Sequence, residues 1–381
     1  MRRRTLLRLL PLLLVLFIPS CGKKPAVAEP FSFIVVDDLH YAGAADYDSA
    51  SAPDERTLRT IRQTGQNFIP FMNALKEQAL SFLPKPAAIL SCGDIVHGGV
   101  SDPRAQFSSF FAAYNSVAMP VPLYNAMGNH ETAGEGMQPA YDESFLPFMS
   151  GEAGRQLADR NFSLDIGDSH FILLDSQPPE RTGGDHEKRI FELMDRQWRW
   201  LENDLETNKY KAHIFVFGHP TIWPVNGGDV WYVYEPQKQR EFVDLLLKYN
   251  VRIYFGGHEH VNSVVCYENG AGRKLVQMVP DSEIPLEKEE IRPLVRDYTV
   301  ENVAAGGGSL WSANLRELVS SYRERIGYCR ISHSAAGNFI VSVEGPKVTV
   351  RMFEAFSRQP LDQYEFTAGS SGETQFSYDQ P

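Results

Sequence analysis

The sequence predicts an α/β protein in which two β-sheets pack together and helices cover their outer faces. Two observations lead to this prediction. Short apolar runs of strand length alternate with longer amphipathic patterns as far as Phe255, and strand-like runs follow one another from Val261 onward. Alternating strand–helix units followed by a series of strands indicate two packed sheets with helices outside.

The individual elements follow from local patterns. The first strand is the compact apolar run Phe31–Val36. A helix follows, because apolar residues recur at spacings of three and four residues, namely Phe68, Met72, Leu75, Ala79 and Phe82. Gly167 and Asp168 form a tight turn between two strands. The other predicted strands are 87–91, 122–126, 161–166, 170–175, 212–217, 251–255, 261–267, 274–279, 328–333, 339–344 and 348–356, and the other helices are 102–116, 198–205 and 237–249.

The composition excludes several classes of protein. The chain has 381 residues, of which 43% are hydrophobic and 22% charged, which is typical of a globular protein and not of a fibrous, disordered or multi-span membrane protein. The formal net charge is −11, so the sequence offers no basic stripe for wrapping nucleic acid. A small anionic substrate remains compatible with this charge, because a bound metal ion reverses the local field.

The first twenty residues predict a targeting segment. Four arginines precede the apolar run 9–18, which is too short to cross a hydrocarbon core of about 30 Å as a helix and is typical of a secretory signal peptide. Ile18-Pro19-Ser20-Cys21 resembles the lipobox of bacterial lipoproteins, which implies cleavage before Cys21 and lipidation of its sulfur. The chain would then be an exported, membrane-anchored lipoprotein on the periplasmic or cell-surface side. The alternative is an ordinary signal peptide in which Cys21 is incidental.

The rest of the chain divides into a tether, one large domain and a tail. Residues 21–30 form the tether, residues 31–356 the domain, and residues 357–381 a polar tail that we expect to be loose. Three segments between predicted elements are expected to be insertions, at 131–160, 221–236 and 280–325. Cys266 and Cys329 lie in two late strands and would pair in an oxidising compartment if those strands are neighbours.

Five polar clusters stand where predicted strands end. They are Asp38-Leu39-His40, Gly93-Asp94, Gly128-Asn129-His130-Glu131, Gly218-His219 and Gly257-His258-Glu259-His260. Ligands bind at the carboxyl ends of strands in sheets of this type, so the clusters are expected to converge. Carboxylates, imidazoles and an amide without thiolates suit divalent manganese, iron or zinc. The set is too large for one tetrahedral ion and suits two, with Asp94 able to bridge them.

This ordered series resembles the signature of the calcineurin-like metallophosphoesterases, over roughly residues 31 to 356. The resemblance implies a four-layer α/β-β/α sandwich with two mixed sheets and flanking helices. It also implies two metal ions. Carried over position by position, Asp38, His40, Asp94 and His260 would bind the first ion. Asp94, Asn129, His219 and His258 would bind the second, and His130 would be the catalytic residue facing the leaving group.

The implied reaction is hydrolysis of a phosphate mono- or diester in a small phosphorylated substrate. Two ions about 3.5–4 Å apart lower the pKa of a shared water, and the resulting bridging hydroxide attacks phosphorus. His130 donates a proton to the leaving oxygen or polarises it. Asp94 should be the least replaceable residue, because it holds both ions.

Two departures from related families narrow the prediction. Phosphoprotein phosphatases carry the motif Gly-Asp-x-x-Asp-Arg-Gly. This chain has His97 at the position of the second Asp of that motif, and no arginine follows it, which disfavours a protein serine/threonine phosphatase. The partner that orients His130 is therefore open, with His97 and Glu131 as candidates. Purple acid phosphatases place a tyrosine at the position of His97, so we expect a colourless enzyme.

Two alternative functions stay open. A nucleotide or cyclic-nucleotide phosphodiesterase is nearly as well supported as a broad phosphatase, and the aromatic residues of 221–236 would either stack on a nucleobase or pack that insertion onto the domain. A non-catalytic binding lipoprotein on the same scaffold is disfavoured, because degeneration normally removes ligands first and all are present. Substrate, metal identity and oligomeric state do not follow from the sequence.

Overall fold

The computed structural model describes residues 29–49, 55–177, 191–225, 230–284, 295–297, 317, 320–322, 325–332, 337–368 and 374–379. The predicted signal peptide 1–20 and the lipidation site Cys21 lie outside these residues. Of the helices in the described ranges, none combines the length and the apolar character that crossing a membrane requires.

The first sheet contains seven of the described strands and is mixed. Its order is β15-β14-β13-β12-β1-β2-β3, in which β1, β2 and β3 are parallel and the others pair antiparallel. The strands are β1 (Phe31–Val36), β2 (Pro86–Ser91), β3 (Leu123–Asn125), β12 (Gly337–Glu344), β13 (Lys347–Glu354), β14 (Pro360–Ala368) and β15 (Thr374–Asp379).

The second sheet contains eight of the described strands, in the order β10-β11-β8-β9-β7-β6-β5-β4. The four strands β5, β6, β7 and β9 are parallel, and β4, β8, β10 and β11 pair antiparallel with their neighbours. The strands are β4 (Phe162–Ile166), β5 (Ser169–Leu173), β6 (His213–Phe217), β7 (Ile253–Phe255), β8 (Asn262–Glu268), β9 (Lys274–Val279), β10 (Val295–Asp297) and β11 (Ile326–Ser332).

Side-chain alternation along the strands builds the four layers. On β6, Phe215 and Phe217 point into the space between the sheets, where both rings lie within 6.3 Å of the Phe33 ring of β1. Ile214 and Val216 point the other way, into a second buried cluster with two outer helices. Since successive residues of a strand face opposite sides, one apolar run packs both against the other sheet and against the outer helices. The predicted four-layer sandwich with two mixed sheets is confirmed.

Helices cover both outer faces. The described helices are α1 (Ala44–Ser49), α2 (Glu55–Ser81), α3 (Pro103–Val117), α4 (Met137–Glu152), α5 (Asp195–Asn208) and α6 (Pro236–Lys248), with a short 3₁₀ turn at His130–Thr132. Asp102 caps α3, because its side chain accepts a hydrogen bond from the Ala105 amide at 3.0 Å and Pro103 follows it. Helices α2, α3 and α4 pack beside the first sheet, and α5 and α6 pack beside the second.

Two predicted boundaries differ from the structure. The segment 357–381, expected to be a loose tail, contains β14 and β15, which extend the first sheet because β14 pairs antiparallel with β13 and β15 with β14. Tyr364 and Phe366 on β14 are 1% exposed, so this strand contributes to the core. Within the expected insertion 131–160, helix α4 buries Tyr141, Phe145 and Met149 and packs on α3, so it is part of the helical layer.

The cysteines do not form the disulfide that the sequence left open. Cys266 and Cys329 lie on neighbouring strands β8 and β11, and both are buried thiols that form no disulfide with each other. Cys266 belongs to the cluster between the sheets, whereas Cys329 belongs to the cluster beneath the outer helices. The two side chains therefore point to opposite faces of one sheet.

Candidate metal centre

The polar loops that follow strands of both sheets lie next to one another. The loop after β1 is hydrogen-bonded to the loop after β2, with the amides of Asp38 and His40 donating to the carbonyls of Gly93 and Asp94 at 3.2 and 2.9 Å. From the second sheet, the His258 amide donates to Asp38 Oδ2 at 2.9 Å. The predicted convergence of the strand ends is therefore present in the fold.

The backbone of this region is held in an uncommon conformation. Five of the nine non-glycine residues with positive φ in the described ranges are predicted site residues, namely Asp38, His40, Asp94, His258 and His260. A left-handed backbone at a residue other than glycine costs free energy and persists where the surroundings fix it. Gly93 has a φ of 119°, and a Cβ there would lie 2.8 Å from the Gly128 backbone, so this crossing requires glycine.

Asp94 lies at the centre of the site. Its Oδ2 is 3.1 Å from Nε2 of His219, 3.7 Å from Nε2 of His40 and 3.9 Å from Nε2 of His130. These imidazoles come from three different loops and both sheets. One carboxylate oxygen thus faces the two groups of side chains that the sequence assigns to separate ions.

The first group comprises Asp38, His40 and His260. Asp38 Oδ1 lies 3.6 Å from Nε2 of His40 and 3.9 Å from Nε2 of His260. Asp38 and His40 are buried, whereas the His260 side chain is 37% exposed and stands at the mouth of the site. On its other side, Nδ1 of His260 contacts Glu283 Oε2 at 2.6 Å.

The second group comprises Asp94, Asn129, His219 and His258. Nε2 of His219 lies 2.9 Å from Asn129 Oδ1, and its Nδ1 donates to the Cys92 carbonyl at 3.2 Å. The rings of His219 and His258 have centroids 5.1 Å apart, and ligand atoms of Asp94, His219 and His258 lie within 4.8 Å of one another. Nδ1 carries a hydrogen because a carbonyl only accepts, and Nε2 of His219 faces two oxygen acceptors.

The unsatisfied atoms of the site fit a cation. Within the described residues, Asp38 Oδ1, both ring nitrogens of His40 and Asp94 Oδ2 are buried without a hydrogen-bond partner. Buried polar atoms normally have a partner, and a bound ion is one explanation when they do not. Oxygen and imidazole donors of this kind suit divalent manganese, iron or zinc.

The carboxylates of the site are held ionised. Burial opposes the charge of Asp94, but the imidazoles of His219 and His130 outweigh it and keep the pKa of Asp94 well below its usual range. Burial likewise opposes the charge of Asp38, and the charge of His260 helps to lower its pKa well below the usual value. Divalent ions would replace the imidazole protons that balance these charges.

Glu131 has a structural position that the sequence did not specify. The side chain is fully buried, and its Oε2 accepts hydrogen bonds from the amides of Asp94 and Gly128 at 2.9 and 2.7 Å. Its Oε1 accepts from the Ile95 amide at 2.7 Å. Burial, followed by the charge of Asp94, raises the pKa of Glu131 to about 7. Glu131 therefore fastens the loops after β2 and β3 together.

His130 is oriented by the backbone of His97, one of the two partners that the sequence left open. Its Nδ1 contacts the carbonyl oxygen of His97, which only accepts, so Nδ1 carries the hydrogen and Nε2 faces the Asp94 side. The His97 ring lies beside it, with centroids 5.2 Å apart. Burial, then the charges of His40 and His130, lower the pKa of His97 to about 3.

Three acidic residues near the site received no role from the sequence analysis. Asp37 is fully buried behind Asp38, with Oδ1 3.7 Å from Nδ1 of His219. Glu259 is buried and accepts from the Val225 amide at 3.0 Å, and Glu283 pairs with His260. A signal for Glu283 was present, since Asp281-Ser282-Glu283 follows β9, and β9 is parallel to β7.

Three of the four aromatic residues of 221–236 are buried and pack this segment onto the domain, whereas Tyr234 is exposed. Trp223 and Trp231 are at most 1% exposed, and Trp231 Nε1 donates to the Tyr254 hydroxyl at 2.6 Å. Gln277 accepts from the amides of Ile222 and Trp223 at 2.6 and 3.0 Å. These two indole rings are therefore not available to stack on a nucleobase.

Comparisons with known proteins agree with this geometry. The family model described as calcineurin-like phosphoesterase matches residues 31–262. The serine/threonine-protein phosphatase CPPED1 of Homo sapiens is 24% identical over 254 residues, which is 63% of this chain and 72% of the human protein. A probable cyclic nucleotide phosphodiesterase of Rhodococcus erythropolis is 24% identical over 184 residues, which is 48% of this chain and 54% of that protein.

A solved structure shares the fold. The purple acid phosphatase PPD1 from seeds of yellow lupin (Lupinus luteus) superposes with a TM-score of 0.55 at 14% identity, covering 91% of this chain and 55% of the lupin chain. The likeness at this identity concerns the fold alone. Together with the family model, which spans more than half of the residues, it shows that this chain belongs to the calcineurin-like phosphoesterase family and is a metal-dependent phosphoesterase.

Proposed function

We propose that this phosphoesterase holds two divalent ions and hydrolyses mono- or diesters of phosphate in small substrates. The observation that carries the proposal is the position of Asp94, whose Oδ2 faces His40 at 3.7 Å on one side and His219 at 3.1 Å on the other. A carboxylate between two such groups is suited to bridge two ions.

The proposed ligands divide as the structure groups them. Asp38, His40, Asp94 and His260 would hold the first ion, and Asp94, Asn129, His219 and His258 the second. Their mixture of carboxylate, imidazole and amide oxygen suits manganese, iron or zinc. When bound, the ions would supply Lewis acidity that activates water and offsets negative charge on the phosphate oxygens.

His130 would act on the leaving group. Its Nδ1 is occupied by the His97 carbonyl, so its Nε2 is the atom directed toward the reaction space. The His130 side chain is 21% exposed, which leaves room for a substrate oxygen to approach. An imidazole in this position can hold a proton at Nε2 and give it to the departing oxygen.

The class of substrate follows from neither family nor fold. The human relative's name denotes a protein phosphatase and the Rhodococcus relative's name a cyclic nucleotide phosphodiesterase. The chain lacks the second Asp and the Arg that phosphoprotein phosphatases carry after Gly-Asp, which argues against a phosphoprotein substrate. The indole rings of Trp223 and Trp231 are buried, which argues against stacking of a nucleobase on them. We favour a small ester. Export and a lipid anchor at Cys21 are part of the proposal and rest on the amino-terminal sequence alone.

The test compares wild type with Asp94→Asn and with Asp244→Asn, an exposed aspartate of α6. Each protein is assayed on p-nitrophenyl phosphate and bis-p-nitrophenyl phosphate with manganese and after chelation, and its bound metal is counted. We expect about two ions per wild-type chain, activity that chelation abolishes, and a loss of about 10³-fold or more in Asp94→Asn. Asp244→Asn should match wild type. A wild type that retains no metal and cleaves neither ester would contradict the proposal.

A further inference from the structure

Residues 280–284, which we name the strap, join the second sheet to the first. The amide of Asp281 donates to Asn262 Oδ1 at 3.0 Å, next to the start of β8. The amide of Ser282 donates to the Asp37 carbonyl at 3.1 Å, and its hydroxyl donates to the Gly337 carbonyl at 2.7 Å. The strap is thus fixed to β1 and β12 of the first sheet while it continues from β9 of the second.

The end of the strap is anchored in the core. Ile284 is 2% exposed, and its carbonyl accepts a hydrogen bond from Nδ2 of Asn67 on α2 at 3.0 Å. Glu283 therefore has fixed residues on both sides of it. A carboxylate held in this way has less side-chain and backbone freedom to lose when it forms a contact.

Glu283 uses that position to contact His260. Its Oε2 lies 2.6 Å from Nδ1 of His260, and the Glu283 side chain is 12% exposed. Nε2 on the far side of the ring lies 3.9 Å from Asp38 Oδ1. One nitrogen of the imidazole is therefore engaged by the strap, and the other faces the first proposed ion.

We propose that Glu283 is a positioning residue, which holds the His260 ring so that Nε2 is directed at the first metal ion. The inference rests on the proposed function, because it assigns a role at the same centre. A carboxylate that accepts the Nδ1 hydrogen fixes the tautomer and rotation of a histidine ligand and makes the other nitrogen a better donor.

His260 needs such a partner more than the other proposed ligands do. Its side chain is 37% exposed, whereas those of Asp38, His40, Asp94 and His219 are at most 2% exposed and are fixed by packing. An exposed imidazole would otherwise exchange between rotamers and lose part of its contribution to binding. The low exposure of Glu283 also separates this pair from surface ion pairs, which contribute little.

The test measures metal binding and not only activity. Wild type, Glu283→Gln and Glu283→Ala are titrated with Mn²⁺ by calorimetry after chelation, and metal per chain is counted after gel filtration. We expect Glu283→Ala to lose about 10- to 100-fold in affinity at one of two binding steps, with the other step unchanged. Glu283→Gln retains an acceptor for the Nδ1 hydrogen, so its Mn²⁺ affinity at that step should lie between those of wild type and Glu283→Ala.

Asp204→Ala is the matched control. Asp204 forms a carboxylate–imidazole contact of similar length, 2.7 Å to Nε2 of His170, between α5 and β5 and away from the proposed ligands. Its loss should lower stability and leave both Mn²⁺ affinities unchanged. The unfolding midpoint of each metal-free variant separates a binding effect from a folding effect.

The outcomes distinguish this inference from the function on which it rests. If wild type binds two ions and Asp94→Asn does not, but Glu283→Ala binds both as tightly as wild type, the positioning role is wrong and the function stands. The same conclusion follows if Glu283→Ala and Asp204→Ala weaken binding equally. If wild type binds no ion, the proposed function itself fails.

Discussion

At the scale of single residues, the site relies on backbone groups as much as on side chains. The carbonyls of His97 and Cys92 fix the rings of His130 and His219, and Glu131 accepts hydrogen bonds from four amides of two loops. Such contacts hold the side chains in place before substrate arrives, which is a requirement for efficient catalysis. Sequence motifs do not display them, because a backbone carbonyl belongs to every residue type.

The proposed role of His130 predicts a rate loss that depends on the leaving group. His130→Ala should reduce kcat by about 10²- to 10⁴-fold for esters of simple alcohols, which need a proton on departure. The loss should be much smaller for p-nitrophenyl esters, because p-nitrophenolate leaves without protonation. Steady-state kinetics on both esters, with metal content measured in parallel, checks this. An equal loss on both esters, or a loss of metal, would assign His130 a structural role.

Glu131 predicts a stability loss at the same scale. Glu131→Ala leaves the buried amides of Asp94, Ile95 and Gly128 without this acceptor, at a cost of about 1–3 kcal/mol for each unsatisfied group. The free energy of unfolding of the metal-free protein should fall by several kcal/mol, measured by urea denaturation. The exposed Glu135→Ala is the control and should change little. Equal midpoints for the two variants would contradict the fastening role.

At the scale of elements, His170 joins three of them. It lies on β5, and its two ring nitrogens contact Asp165 of β4 and Asp204 of α5, each at 2.7 Å. Burial lowers the pKa of His170, but the hydrogen bond to Asp204 and then that to Asp165 outweigh it, and the net pKa is raised. A doubly hydrogen-bonded imidazolium therefore connects a hairpin to the outer helix.

This raised pKa predicts the direction of a pH effect. The folded state holds the His170 proton more tightly than the unfolded chain, so the stabilisation is complete below the ordinary histidine pKa of about 6.5 and is lost as pH rises through the folded value. His170→Gln should lower the free energy of unfolding by about 1–3 kcal/mol near pH 6 and by less near pH 9. Denaturant titrations at both pH values measure the difference.

His213 on the neighbouring strand β6 is a control, because its pKa is shifted in the opposite direction. Burial lowers its pKa, so its neutral form is favoured in the folded state. The stability that this histidine contributes is lost as pH falls, and His213→Gln should therefore have the larger effect at the higher pH. The same pH trend in both variants would show that the bulk properties of the protein, and not His170, cause the dependence.

At the scale of the whole molecule, a buried ion pair between Arg330 and Asp362 bridges the two sheets. Nη2 of Arg330 on β11 lies 2.8 Å from Asp362 Oδ1 on β14, and the two side chains are 9% and 1% exposed. Removing one partner of a buried pair leaves a charge in a poorly solvated position. The pair lies at the edge of the sandwich, where Tyr328 also packs on Tyr364.

Asp362→Ala should therefore lower the free energy of unfolding by about 3–5 kcal/mol. Glu365→Ala on the same strand is the control, because its pair with Lys347 joins side chains that are 31% and 43% exposed. Such a pair contributes about 0–1 kcal/mol. Chemical denaturation of both variants, compared with wild type, measures the two values. Equal losses in the free energy of unfolding would show that the buried pair between the sheets stabilises the protein no more than the exposed pair does.

Comparison of sequence and structure shows where local patterns suffice. The strand Phe31–Val36 and the strand Lys274–Val279 have the bounds that the sequence predicts, because both are short, mostly apolar runs with distinct ends. The strand Pro360–Ala368 was missed. Only every second residue of this strand is buried, and its polar residues made the segment resemble a tail. Such a strand becomes stable only when β13 supplies the pairing surface.

The candidate site divides in the same way. Asp38, His40 and Asp94 could be predicted because each follows an apolar run and belongs to a spaced motif. The acidic residues after β9 were a signal for Glu283, but its contact with His260 could not be predicted, because His260 lies 23 positions earlier and meets it only through the course of the strap. The orientation of His130 was equally beyond prediction, since it depends on the fold of the loop that carries His97.

Both sheets contribute to the centre, with Asp38, His40, Asp94 and Asn129 from the first and His219, His258 and His260 from the second. Ions bound as proposed would therefore act as reversible cross-links between the halves of the sandwich. By mass action, the folded state would gain stability with each rise in free-ion concentration above the dissociation constant. The stability of this enzyme would then depend on the concentration of metal in its surroundings, so that a shortage of metal would favour unfolding as well as loss of activity.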